Sequence, residues 1–291
     1  MKKRICMWAL VIALLLPVLS LPAFADVGPK PSVVVDFKGL EGESYYVTLL
    51  SDTESTGPWS TDKTYHAGYA SEEIWNKFRS YSDADGFHFI GYLEDCSDTD
   101  SFSWSYFPPG KFKILIYFPE YDRFVASADS YERYAFDSYY TADTNDLDIL
   151  SVTDNAELDV RRTYDFTWEL VSLLCRILVT IAVELGLALL FGLRAKKQIR
   201  LIVLTNIATQ TALNVLLNII NYRYGLLAFI FNYLWMEIAV FIIEGLVYRK
   251  RLSRFDARPD RKIHHWLYAL AANILSFAVG LLIVRWLPGI F

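Results

Sequence analysis

The chain is poor in cysteine and histidine, and this scarcity excludes several kinds of site. Its 291 residues include 3 Cys and 4 His. Only Cys96 lies in the region that we expect to be exported, because Cys6 lies in a leader and Cys175 in an apolar run. That region therefore has no internal disulfide and must be held together by its apolar core. Pairing of Cys96 with a second chain stays open.

Catalytic and metal-binding motifs are also lacking. His66 and His88 stand outside any metal-ligand spacing, and no Ser/His/Asp or Cys/His arrangement can be recognised. Residues 83–86, Asp-Ala-Asp-Gly, imitate the middle of a calcium loop, but tyrosines stand where its first and last carboxylate ligands belong. The acidic stretch 95–100 is typical of a solvated turn. The sequence thus predicts no catalytic residue, no metal and no cofactor.

Positive charge is scarce in the first half of the chain. Residues 26–165 hold 27 Asp and Glu against 11 Lys and Arg, whereas residues 166–291 hold 6 against 14. This division is typical of a water-exposed domain followed by membrane helices with cytoplasmic cations. The net charge of −16 in the first part repels polyanions. We therefore expect neither nucleic acid nor phosphate-rich wall polymers as partners.

The amino terminus has the order of a secretory signal peptide. Residues 2–4 are basic, residues 9–21 are apolar, and residues 23–25 read Ala-Phe-Ala. We predict a signal peptide over residues 1–25. The alternative is an uncleaved anchor, but the apolar run is shorter than the ~20 residues that a membrane span needs.

Short aromatic and β-branched runs, separated by turn residues, fill residues 26–150 and predict a mainly-β extracytoplasmic sandwich. The candidate strands are 33–37, 45–50, 87–93, 103–107, 111–118, 124–127 and 134–140. One short helix is predicted over 71–81, with Ser71 as its cap and an apolar face that covers a sheet. Residues 108–118 followed by 124–140 resemble the closing strands of a prealbumin-like or carboxypeptidase-regulatory-like sandwich. The aromatic rings are expected in the core, although an exposed row would suit sugars or a peptide.

Four apolar segments follow a predicted juxtamembrane linker over 151–167, and each is long enough to cross a bilayer. They are 168–193, 201–220, 226–247 and 266–287. The loops after the first and third segments are basic, so we predict that they are cytoplasmic. Residues 168–291 are therefore expected to form an all-α four-helix transmembrane bundle. The chain would be a multi-pass cell-membrane protein with its amino-terminal domain and carboxyl terminus outside the cytoplasm.

Ionisable and amide side chains inside these segments form a candidate intramembrane polar site. The seven residues are Glu184, Asn206, Gln210, Asn214, Glu237, Glu244 and Asn273. Helical spacing puts Glu184, Gln210 and Glu237 at comparable depth, where they can converge. A carboxylate in contact with lipid is costly, so the set either binds a proton or cation or joins the helices by hydrogen bonds. Glu244 lies nearer the cytoplasmic surface, where it can reach basic side chains.

The layout of the whole chain resembles uncharacterised envelope proteins of Gram-positive bacteria. It shares with them a mature start over 27–33, Val-Gly-Pro-Lys-Pro-Ser-Val, and Glu- and Asn-bearing carboxyl-terminal helices. One function compatible with this layout is a non-catalytic envelope protein, in which the β domain binds an extracellular ligand or partner and the helices anchor and couple it. The alternative is a small transporter or intramembrane enzyme that uses the buried carboxylates.

The expected partners follow from the same layout. They are the lipid bilayer, a membrane or envelope protein, and a second copy of the chain. The last expectation rests on Ala272, Ser276 and Gly280, whose small-xxx-small spacing lets another helix approach closely, either in a dimer or within the bundle.

Overall fold

The computed structural model describes residues 29–66, 68–149, 155–156, 158–255 and 264–286. The predicted signal peptide over 1–25 lies outside these residues. The chain forms two compact units. We call Val27–Tyr164 the β unit and the part that begins at Asp165 the helical unit.

Two sheets and a hairpin make up the β unit. Its elements are β1 (Ser32–Lys38), β2 (Tyr46–Ser51), β3 (Ser55–Thr56), β4 (Trp59–Ser60), α1 (Glu72–Ser80), β5 (Glu94–Asp95), β6 (Ser101–Trp104), β7 (Lys111–Phe118), β8 (Arg123–Ser127), β9 (Tyr131–Glu132), β10 (Asp137–Asp143), β11 (Asn155–Ala156) and β12 (Asp159–Arg162). One sheet has the order β12-β10-β1-β6, and the other has the order β11-β8-β7-β2-β5, with β9 paired to β7. Strands β3 and β4 form the hairpin. The mainly-β prediction for this part of the chain is confirmed.

Strand β7 is buried on both faces and separates two apolar clusters. Ile114 and Ile116 point into the core between the two sheets, whereas Leu115 lies on the opposite face against α1. Helix α1 covers that face with Trp75 and Phe78, as its apolar spacing predicts. It starts at the predicted cap, where the Ser71 hydroxyl accepts a hydrogen bond from a first-turn amide.

Two segments of the β unit differ from their predictions. Residues 87–93 were expected to be a strand, but the chain makes only an isolated bridge between Ser51 and His88 there. Phe89 and Leu93 are buried next to α1 and Ile90 is buried in the core between the sheets, so burial rather than sheet pairing explains the apolar composition. Strand β12 lies inside the predicted linker over 151–167 and pairs with β10, so the compact unit extends to Tyr164. Its sequence, Asp-Val-Arg-Arg, lacks an apolar alternation that would reveal a strand.

The Asp-Ala-Asp-Gly turn over 83–86 holds a lysine. The Lys113 ammonium group donates to Asp83 Oδ1 at 3.1 Å and also to Asp85, although Lys113 is only 1% exposed. Burial by itself lowers the pKa of Lys113, but the hydrogen bonds to Asp85 and Asp83 outweigh it and raise that pKa. The turn therefore stabilises a buried cation on β7.

The thiol of Cys96 is fully buried in the core of the β unit. It donates to the Glu94 carbonyl at 3.7 Å, and burial raises the pKa of the thiol. Both effects keep it protonated and shielded. A disulfide to a second chain through Cys96 would therefore require the β unit to open locally.

The predicted four-helix transmembrane bundle is wrong. The helical unit contains α2 (Phe166–Leu190), α3 (Lys196–Arg251), a 3₁₀ turn (Leu252–Phe255) and α4 (His265–Trp286). Among the described helices, α2 and α3 are long and apolar enough to cross a membrane, and α4 contributes the shorter apolar stretch His265–Gly280. The expected second and third spans, 201–220 and 226–247, belong to the single 56-residue helix α3.

A sharp bend at Gly225 joins the two expected spans. The chain is helical on both sides of this glycine, and Gly225 itself leaves helical geometry, with φ 81° and ψ 178°. Positive φ is inexpensive for glycine alone. The bend brings Asn206 Nδ2 within 3.1 Å of the Tyr248 hydroxyl. In a straight helix these residues would lie ~63 Å apart, so the two arms of α3 pack side by side.

The helical unit exposes apolar side chains and buries charged ones, which is the reverse of a water-soluble protein. Leu178 and Trp235 are each 66% exposed, whereas Glu184 is 1% exposed and Glu244 is fully buried. In water such a surface would be a large exposed apolar patch, whereas in lipid it matches the hydrocarbon around it. Together with the length of α2 and α3, this arrangement indicates association with a membrane.

Gly245 allows the close approach of α3 and α4. A Cβ atom built on Gly245 would overlap the ring of Trp266. We therefore expect Gly245→Ala to lower the stability of the helical unit by about 1–3 kcal/mol through overpacking. Thermal unfolding of the full-length protein in detergent, followed by circular dichroism, measures this loss. The control is Gly186→Ala on α2, where the added atom meets open space. Equal stability of the two variants would contradict this packing.

Buried tyrosines make the β unit sensitive to alkali. Burial raises the pKa of Tyr117 and of Tyr131 to about 12, and it also raises the pKa of Tyr45 and of Tyr92. Unfolded tyrosine ionises near pH 10, so above that pH the unfolded chain binds fewer protons than the folded unit. We expect the free energy of unfolding to fall by up to about 1.4 kcal/mol per pH unit for each such tyrosine.

A pH series of unfolding curves, with tyrosinate absorbance recorded in parallel, checks this loss in the full-length protein. Tyr117→Phe removes one raised pKa together with the 2.8 Å hydrogen bond to Asp122, so its stability should depend less steeply on pH. The expectation fails if stability stays constant between about pH 9 and about pH 12, the range in which the unfolded tyrosines lose their protons.

Candidate functional site

Seven polar side chains meet in the interior of the helical unit, and we call them the Glu184 cluster. They are Glu184, Asn206, Thr209, Glu244, Tyr248, Tyr268 and Asn273. Helix α2 supplies the first residue, the two arms of α3 supply the next four, and α4 supplies the last two. All seven are buried. The bend in α3 is required for this cluster because it brings residues of both arms together.

The Glu184 carboxylate accepts hydrogen bonds from three neutral groups. Its Oε2 atom lies 2.6 Å from Asn206 Nδ2, 3.1 Å from the Tyr248 hydroxyl and 3.4 Å from the Tyr268 hydroxyl. The Tyr268 hydroxyl also lies 3.2 Å from the Glu184 backbone carbonyl. These donors come from both arms of α3 and from α4, so Glu184 connects all three helices.

Glu244 is buried in the same cluster and does not reach the basic side chains that we expected it to meet. Its Oε1 atom accepts from the Thr209 hydroxyl at 2.7 Å, and its Oε2 atom accepts from Asn273 Nδ2 at 2.7 Å. The two carboxyl groups belong to one cluster, because Thr209, which donates to Glu244, follows Asn206, which donates to Glu184, by about one helical turn.

A second set of polar residues, the Arg176 cluster, lies elsewhere in the helical unit. The Arg176 guanidinium donates to Asn214 Oδ1 at 2.8 Å, and Asn214 Nδ2 donates to the Gln210 carbonyl at 2.8 Å. Tyr233 and Glu237 complete the cluster and line the same cleft. Its members line a small cleft with room for about one water molecule.

The structure thus divides the predicted site into two parts. Glu184, Gln210 and Glu237 were expected to converge, but Glu184 lies in one cluster and the other two residues line the cleft of the other. The count of residues from the loops estimated depth along each helix, but it did not determine which helix faces meet. The predicted residues Asn206, Glu244 and Asn273 join Glu184, whereas Asn214 lies next to Gln210.

Sequence reasoning missed the hydroxyl donors of the Glu184 cluster. Tyr268 lies near the start of an apolar segment, a position typical of an interfacial anchor rather than of a site residue. Tyr248 follows Glu244 by four residues and Thr209 follows Asn206 by three, so both lie on the same helix faces as predicted site residues. Their place in the site could have been predicted from that spacing.

The small residues of α4 face the interior of the helical unit. Ala272 is fully buried in its apolar core, and Ser276 and Gly280 line the cleft of the Arg176 cluster. This placement fits their use in packing within the unit. A dimer through Ala272, Ser276 and Gly280 stays a prediction.

Carboxylates also gather at one end of the β unit, which we call its acidic end. Hydrogen bonds join the loops there: Phe37 N donates to the Asp100 carbonyl at 2.8 Å, and Thr144 N donates to the Lys38 carbonyl at 2.9 Å. The carboxylates of these loops are Glu41, Glu43, Asp95, Asp98, Asp100, Glu120, Asp143, Asp146 and Asp148. The chain leaves β12 toward the opposite end of the sheet, because β12 runs antiparallel to β10.

The acidic turn over 95–100 is organised by its own hydrogen bonds. Asp95 Oδ1 accepts from the backbone amide of Ser97 at 3.1 Å and from its hydroxyl at 2.6 Å, and Asp100 accepts from the Tyr45 hydroxyl at 3.1 Å. Within the described ranges, no group of three or more His, Cys, Asp and Glu has the arrangement of a metal site. The exposed carboxylates around this turn instead form a negatively charged surface.

Comparisons with known proteins give no independent assignment. No protein-family profile matches the chain, and no curated protein or solved structure matches it. The resemblance to a prealbumin-like sandwich therefore receives no support from a known structure. The site must be interpreted from its own geometry.

Removal of one hydroxyl from the Glu184 cluster should destabilise the helical unit. In Tyr248→Phe the carboxylate of Glu184 and the amide of Asn206 each lose a partner at 3.1 Å. We expect a loss of about 1–3 kcal/mol, because the remaining groups stay buried. The control is Tyr224→Phe, since Tyr224 packs on the apolar core of the same unit without a hydrogen-bond partner among the described residues. Thermal unfolding in detergent measures both variants, and equal losses would argue against the cluster as a stabilising network.

Proposed function

We propose that this protein is a non-catalytic, membrane-anchored binding protein of the bacterial envelope. In this proposal the acidic end of the β unit binds a positively charged segment of a membrane or envelope protein. The helical unit anchors the protein in the bilayer and couples it to other membrane components. The observation that carries the proposal is the concentration of carboxylates at one end of the β unit.

The charge at the acidic end favours a cationic partner. Glu41, Asp98 and Glu120 are exposed on three different loops there. A surface of one sign raises the rate of encounter with partners of the opposite sign and repels polyanions.

The buried carboxyl groups support an anchoring role for the helical unit. Glu184 and Glu244 accept hydrogen bonds from side chains of α3 and α4, and neither lines the cleft of the Arg176 cluster. A transporter or intramembrane enzyme needs access for a substrate, whereas a closed network joins helices. This contrast favours the binding protein over the alternative function.

The proposed orientation follows from the bend in α3. Because Asn206 meets Tyr248, the basic residues over 194–200 and over 249–254 lie at the same end of the helical unit. Cytoplasmic ends of membrane helices are enriched in Lys and Arg. We place that end in the cytoplasm. The β unit and the carboxyl terminus of this multi-pass protein lie outside it.

Charge reversal at the acidic end tests the proposed binding surface. The variant carries Glu41→Lys, Asp98→Lys and Glu120→Lys. These side chains are exposed, so the β unit should still fold. With an oligolysine peptide as the probe, we expect the affinity of the full-length protein to fall by about tenfold or more, and the wild-type affinity to fall as salt is added.

A second triple variant provides a control with the same change in net charge. It carries Glu54→Lys, Asp62→Lys and Asp129→Lys. All three residues are exposed. Glu54 and Asp129 follow the ends of β2 and β8 that lie far from the acidic end, and the turn that holds Asp62 is hydrogen-bonded to the Glu54 carbonyl. This second variant should bind the peptide much more tightly than the first variant. If the two variants bind the peptide with equal affinity, the loss of affinity is due to net charge alone, and the acidic end is not a specific binding surface.

A further inference from the structure

The two carboxyl groups of the Glu184 cluster lack a positively charged partner. Within the described part of the helical unit, neither Glu184 nor Glu244 forms an ion pair, and every side-chain donor that reaches them is an amide or a hydroxyl. A negative charge on either group has no cation beside it among the described residues. Buried charges in proteins are normally balanced by an ion pair or a metal ion, because an isolated charge in a low-dielectric interior is costly.

One oxygen of the cluster has an unused binding capacity. Asn206 is fully buried, and its Nδ2 atom donates to Glu184 Oε2, the Tyr248 hydroxyl and the Ile202 carbonyl. These contacts fix the orientation of the amide, because the Ile202 carbonyl can only accept. The Asn206 Oδ1 atom then has no hydrogen-bond partner in the described part of the chain. A buried acceptor without a donor is rare and calls for an explanation such as an unseen ion or water.

We propose that the Glu184 cluster is a structural binding site for a monovalent metal cation, of which Na⁺ is the representative. The cation binds between the carboxyl oxygens of Glu184 and Glu244 and takes the Asn206 Oδ1 atom and the Thr209 hydroxyl oxygen as neutral ligands. The cation balances the negative charge of the carboxyl groups and occupies the unused acceptor, Asn206 Oδ1. One bound ion thus meets both requirements.

The number and kind of ligands favour a monovalent ion. All are oxygens, which suit hard cations. Ca²⁺ takes 6–8 oxygen ligands and Mg²⁺ keeps several waters, whereas this closed cluster offers about four oxygens. The ion would join α2 to both arms of α3.

A cation series on the full-length protein in detergent tests the site. Thermal unfolding is compared in NaCl, KCl, LiCl and choline chloride at equal ionic strength, because choline is too large for the closed cluster. We expect the unfolding temperature to be about 2–8 °C higher in at least one metal chloride than in choline chloride. Identical unfolding temperatures in all four salts would overturn the proposal and leave protonation of the carboxyl groups as the explanation. This comparison needs no variant.

Matched variants locate the effect. Glu184→Gln removes one of the two carboxyl ligands and should abolish most of the difference between metal chloride and choline chloride. Glu237→Gln, in the Arg176 cluster, should keep that difference. If Glu184→Gln fails to fold, Asn206→Ala and calorimetric titration of NaCl into the wild-type protein in choline buffer take its place. A cation effect that survives both Glu184→Gln and Asn206→Ala, or wild-type protein that takes up no sodium, would overturn the proposed site.

Discussion

The exclusion of polar groups from lipid is the constraint on which the helical unit depends. Its surface carries leucine and tryptophan, so hydrophobic attraction between the helices contributes little inside a bilayer. Hydrogen bonds to Glu184 and Glu244, together with close packing at Gly245, must supply much of the association. The polar residues of this unit therefore have the structural role that apolar side chains have in the β unit.

The β unit is held together by buried apolar side chains and the helical unit by buried polar ones. This difference explains which features of the fold the sequence predicts. In the β unit, apolar alternation, turn residues and a helix cap identify β7 and α1 almost to the residue. They do not identify β12, whose polar sequence is held in place by pairing with β10. In the helical unit, apolar length predicts helices correctly but not where one helix ends. Helical hydrogen bonding continues up to Gly225, so two expected spans become two arms of one helix.

The candidate site was predictable in composition and not in arrangement. Seven polar residues were expected to lie in the interior, and Glu184, Asn206, Glu244 and Asn273 do meet there. Their grouping depends on which helix faces meet after the bend, and spacing within one helix contains no such information. The two tyrosines of the cluster were also difficult to predict. Tyr248 and Tyr268 stand near the ends of apolar segments, as interfacial anchors do, but their hydroxyls donate to a buried carboxylate.

The parallel pairing of β1 with β10 has a consequence for biogenesis. Ser32 aligns with Asp137 and Lys38 with Asp143, so the strand nearest the amino terminus must wait for more than a hundred later residues before its central pairing can form. Non-local pairing of this kind slows folding. A nascent chain emerges from its amino terminus onward, so the edge of β1 that pairs with β10 stays unpaired after β6 has already emerged. We expect the nascent β unit to depend on chaperones until β10 has emerged.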